Sequence, residues 1–99
     1  MSNERLWANI DFATTILQFR GHAKGSDPEG VCLVEALHYA TIGVDSGAGD
    51  EYHEALQAVA DAIGIPVPGL AAWNDAEERT IDDLYVAFGK AKLLAVGSI

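Results

Sequence analysis

Ninety-nine residues support one hydrophobic core, and at this size about 60–65% of the unfolded surface can be buried. Hydrophobic residues make up 49% of the chain and charged residues 21%, a globular composition, and no apolar run reaches the roughly 18 residues of a membrane span. The net charge is −9, and the six bases (Arg5, Arg20, Lys24, Arg79, Lys90, Lys92) are scattered, which argues against direct nucleic-acid binding.

The first predicted helix runs from about residue 3 to 20. Leu6, Ile10, Ala13 and Leu17 recur at helical spacing, with Phe12, Ile16 and Phe19 widening the stripe. Gly21 stands at its natural end, and the polar segment "GHAKGSDPEG" is a surface loop. The second helix is expected over about 29–42. Cys32, Leu33, Ala36, Leu37, Tyr39 and Ala40 share its broad apolar face, and Glu35 and His38 share the opposite window. A glycine-rich turn, "GVDSGAGD", follows.

The third helix is expected over about 50–63, with Tyr52, Leu56, Val59 and Ile63 inward and acids in its first turn. Gly64 ends it, and Pro66 and Pro68 make "IPVPGLAAW" an extended crossover with room for one short turn at 69–72. The fourth helix starts after Thr80, an N-cap, with Asp83 at the acid position of a capping box. Ile81, Leu84, Tyr85, Phe88, Ala91 and Ala95 face inward. The fold class is therefore all-α: a compact single-domain bundle (1–99) of four main helices, with a Pro-containing crossover before the last.

The least ordinary stretch is "AAWNDAEERTIDD", residues 71–83. Trp73 plugs the core where the crossover meets the bundle, Asn74 and Asp75 bond to turn amides, and Arg79 reaches back across the turn. The competing reading makes Asn74, Asp75 and Arg79 a recognition pocket for a small molecule or nucleotide derivative. Residues 71–95 resemble the C-terminal signature of a domain-of-unknown-function family of small actinobacterial and actinophage proteins: Trp-Asn-Asp, a short gap, Arg-Thr, then an amphipathic helix. Gly21, Gly25 and "VCLVEAL" are similar to earlier family positions, so the resemblance spans about residues 8–95. His22 stands where the family commonly has Trp, and Glu35 where it has Gly. The resemblance implies a phage or phage-derived origin and supplies no reaction.

No catalytic constellation emerges. Cys32 and His38 lie six residues apart on one helix, about 120° around it, so they cannot pair locally. Cys32 reads as a small buried hydrophobe, and a cysteine-dependent hydrolase is the weakest of three readings. Glu35 and His38 have helical i, i+3 spacing but no supporting metal motif, so neither a metal nor a cofactor is assigned. The glycine loops lack the order of a phosphate loop or an EF-hand. A single cysteine and the absence of a basic-then-apolar leader pattern point to the cytoplasm, in a bacterium or an infected host cell. What remains is surface. Trp7, Val86 and Leu93 lie off the inward stripes, with Gly89 between the last two, and Val31, Val34 and Ile42 flank the Glu35/His38 window. The preferred expectation is a small acidic modulator that binds another protein or itself, acting on a host or defence factor, with Trp7, Val86, Leu93, Glu35 and His38 in the interface.

Overall fold

The computed structural model describes residues 3–24, 30–43 and 49–97. Segments 25–29 and 44–48 lie outside the described residues, and with them Gly25 and the expected helix start at Glu29. Five α-helices are present among the described residues, one more than expected: α1 (Asn3–Arg20), α2 (Leu33–Thr41), α3 (Asp50–Ile63), α4 (Leu70–Asp75) and α5 (Ile81–Gly97).

Helix α1 ends where the sequence places its end. Gly21 takes φ 80° and donates its N–H to Leu17 O at 2.8 Å. Only glycine adopts that left-handed geometry without strain. Ile10, Ala13 and Leu17 are fully buried, but Phe12 and Phe19 are 53% and 89% exposed. These two were expected to widen the stripe, and the helical wheel explains the correction. Each residue turns about 100°, so Phe12 and Phe19 lie roughly 130° and 150° from the mean direction of Leu6, Ile10, Ala13 and Leu17. Only Ile16, about 90° away, is close enough to reach the core edge.

Helix α2 is shorter than expected because the chain before it is tied elsewhere. Val31 donates to Gly21 O and accepts from Ala23 N–H, both at 2.9 Å, in a single bridge between His22 and Val31. Gly30 lets those backbones meet, since a Cβ there would stand 2.8 Å from Gly21 O. Val31 is thereby fully buried rather than flanking an exposed window, and Val34 packs against the core. Tyr39, assigned to the apolar face, is 42% exposed.

Helix α3 follows its expected span and buries Ala55, Leu56, Val59, Ala60 and Ala62. Gly64, at φ 88°, closes it through Ala60 O. The proline segment is coiled rather than extended. A 3-10 turn at Val67–Gly69 runs straight into α4, because Pro68 sits in the first turn of that helical segment, where no N–H is required. Helix α5 buries Leu84, Phe88 and Ala91 against α1 and α3, while α4 lies on α2. Small residues (Ala13, Ala36, Ala60, Ala91) occupy many core positions and let the helices approach closely.

Candidate functional site

Helix α4 has six residues, and its purpose is legible at Asn74. That side chain is fully buried, and all four hydrogen-bonding positions of its amide are occupied. Oδ1 accepts the Leu33 N–H at 3.0 Å and lies 3.0 Å from His22 Nε2. Nδ2 donates to Ala23 O at 3.0 Å and to Asp75 Oδ1 at 2.9 Å. Leu33 is the first residue of α2, where a backbone N–H has no partner within its own helix. Asn74 therefore caps α2 from across the fold, and it ties α2 to the 22–23 segment and to α4.

Trp73 points the other way. Its ring packs against the core, and the Arg79 guanidinium lies 3.8 Å from the ring centroid. Arg79 Nε donates to Trp73 O at 2.8 Å, so one arginine holds both the ring and the backbone of that residue. Thr80 then starts α5 with a reciprocal capping box: Asp83 N–H reaches Thr80 Oγ1 at 3.3 Å, and Thr80 N–H reaches Asp83 Oδ2 at 2.9 Å.

Of the three residues read as a recognition pocket, Asn74 has no polar atom open to a ligand. Asp75 is exposed and bonded to Asn74. Arg79 lines an open groove with Trp73, Ala62, Ile63, Asp83, Val86, Ala87 and Lys90. Of the trio, only Arg79 lines this groove; Asn74 and Asp75 are bonded to each other outside its lining.

Cys32 is not within α2 but at its N-cap. Sγ accepts the Glu35 N–H at 3.3 Å, and the Glu35 carboxylate accepts the Cys32 N–H at 3.2 Å. Burial pushes the thiol pKa up, and the nearby Glu35 charge adds to this. Both effects work against a thiolate nucleophile. His38 is exposed and packs edge-on to Tyr52, with ring centroids 5.3 Å apart. Burial raises the Tyr52 phenol pKa. Among the described residues no group of three His, Cys, Asp or Glu side chains is placed to hold a metal, and no single helix is long and apolar enough to cross a membrane.

The outer face of α5 contrasts with all of this. Val86, Leu93 and Val96 are 70%, 74% and 51% exposed, and with Gly89 they recur at spacings of three, four and three. Trp7 joins them at the far end, where it lines a recess of about 200 Å³ with Asn3, Glu4 and Val96. Lys92 sits 5.2 Å from the Trp7 ring and pairs with Asp11 at 3.1 Å, fixing α1 to α5 beside that recess. Glu35 and His38 sit on α2, which packs on α1, α3 and α4, so they do not share this helix pair with Trp7, Val86 and Leu93.

Two groups escaped the reading of the sequence. His22 meets Asn74 from 52 positions away, and nothing local announces it. Glu51 receives Arg5 Nε at 2.8 Å and Asn9 Nδ2 at 3.0 Å, and these bonds hold its carboxyl below the usual range, with Asn9 the larger cause. The Cys32–Glu35 cap did leave a signal: a polarizable side chain followed three residues later by Glu is the spacing of a capping box.

A family model described as "Family of unknown function (DUF6197)" matches residues 1–92. No curated protein and no solved structure matches the chain.

Proposed function

We propose that this chain, which belongs to the family of unknown function DUF6197, is a protein-binding module whose docking face is the outer side of α5 together with Trp7. One observation carries the reading. Val86, Gly89, Leu93 and Val96 form an exposed apolar line on a helix whose opposite face is already buried by Leu84, Phe88 and Ala91. A helix apolar on both faces has a second surface for another helix, and the three-four-three spacing is the seam that a partner helix reads. Gly89 keeps the centre of that seam flat, with open space where its Cβ would be. Trp7 supplies the large, partly exposed aromatic group that such contacts concentrate on. Glu35 and His38, if they contribute, do so on a separate part of the surface. A cytoplasmic site of action and a phage-related origin, with a host or defence factor as the partner, belong to the same proposal and rest on composition and resemblance.

The test compares wild-type and Leu93→Glu baits for capture of partners, together with sedimentation equilibrium of both. Leu93 is 74% exposed, so the variant keeps its fold. Loss of a captured protein, or of self-association, in Leu93→Glu supports the seam. Equal capture by both baits removes it.

A further inference from the structure

The groove beside Trp73 has a chemistry of its own, and it adjoins the helix seam at Val86. Among the described residues its lining is apolar at Ala62, Ile63, Trp73, Val86 and Ala87, its one acid is Asp83, and its two cations are Arg79 and Lys90. These are two of only six bases in a chain of net charge −9.

Arg79 is held in one pose. Its side chain is only 19% exposed, its planar head rests on the Trp73 ring, and Nε is bonded to Trp73 O. Stacking occupies the face of a guanidinium and leaves its edge, so the Nη donors remain available in the plane. The nearest acid is Asp83, whose Oδ2 lies 4.0 Å from Nη1. That distance exceeds the roughly 3.2 Å of a hydrogen bond. The same Oδ2 already accepts the Thr80 N–H at 2.9 Å. Lys90 has no hydrogen-bond or ion-pair partner among the described residues. With Nε taken by Trp73 O and Asp83 beyond hydrogen-bond reach of Nη1, the Nη1/Nη2 end of this fixed guanidinium is what matches the two oxygens of a carboxylate. Asp83 repels any anion seated there, and a doubly charged phosphate about twice as strongly as a singly charged carboxylate, so the monoanion is favoured.

From this geometry we infer that the groove binds a carboxylate carried on an apolar body, with the charge on Arg79 and the body against Ile63, Val86 and Ala87. Its volume of about 320 Å³ fits a short-chain organic acid or the last residues of a peptide with a free C-terminus. Lys90 holds the rim and draws the anion in.

The experiment titrates the full chain with two carboxylates, hexanoate and acetyl-Ala-Ala-Leu, each against its amide counterpart. The readouts are the proton–nitrogen signals of the Arg79 Nε–H and of the Val86 and Lys90 amides. Val86→Glu is the companion variant. Position 86 is 70% exposed, so the fold survives while a negative charge enters the groove. Either acid is expected to shift the Arg79 Nε–H, with affinity at least about tenfold weaker for its amide and for the variant. Response to hexanoate alone identifies a free small acid as the source, and response to the peptide alone identifies a protein C-terminus. Amides binding as well as acids, shifts centred on Trp7 instead, or no shift from either acid at about 10 mM would each overturn the assignment.

Discussion

The chain's two most distinctive regions use their residues in opposite ways. Around α4, Trp73, Asn74, Arg79 and Thr80 are chemically rich side chains, and the structure turns most of their bonding inward: onto Leu33 N–H, Ala23 O, Trp73 O and the first turn of α5. Along outer α5, Val86, Leu93 and Val96 are chemically plain, and they face water. Unusual residue types mark the place where backbone groups far apart in sequence need partners. Ordinary aliphatic residues in the wrong place on a helix mark the surface left for something else. The Arg79 edge is the one point where the two regions meet, in the groove it shares with Val86.

The comparison breaks first at Asn74. Asn74→Ala leaves the Leu33 N–H and the Ala23 carbonyl unpaired in the interior, and is expected to cost about 3–5 kcal/mol in chemical denaturation. A loss below about 1 kcal/mol would return that residue to the list of candidate ligands. Trp73→Ala removes a partly buried ring and the platform under Arg79, and should cost about 2–3 kcal/mol, less than for a wholly buried indole. Thr80→Ala should cost about 1 kcal/mol in the same assay through the lost cap of α5. On the other side of the comparison, Leu93→Ser should leave thermal unfolding within about 0.5 kcal/mol of wild type. A larger loss would show that the outer seam serves the fold rather than a partner.

Much of the helical architecture was legible. Periodicity placed α1 and α3 at their observed spans, and Thr80 with Asp83 placed the start of α5. The failures have different causes, and only one involves contacts distant in sequence. Helix α2 starts late because Val31 is pulled into a bridge with the 21–23 segment, and periodicity cannot register that. Phe12 and Phe19 looked like core residues by type, and only their angular position puts them outside. Pro66 and Pro68 suggested extended chain, yet proline also suits the first turn of a helix, and the sequence alone does not choose between these uses. As for the candidate site, the Trp-Asn-Asp…Arg-Thr motif could be read as a joint, but not its division into a saturated amide and an arginine that opens onto a groove. That division depends on how a six-residue helix seats Asn74 against α2 and where the chain after it carries Arg79.

The central claim is that Asn74 serves as a cap for α2 from 41 positions away. Hydrogen exchange at the Leu33 amide tests it most directly, because the first N–H of a helix is ordinarily unprotected. Slow exchange at Leu33 in the wild-type chain, lost in Asn74→Ala while the core amides of α1 stay protected, is the predicted result. Rapid exchange at Leu33 in the wild type, or protection unchanged by the substitution, would contradict it.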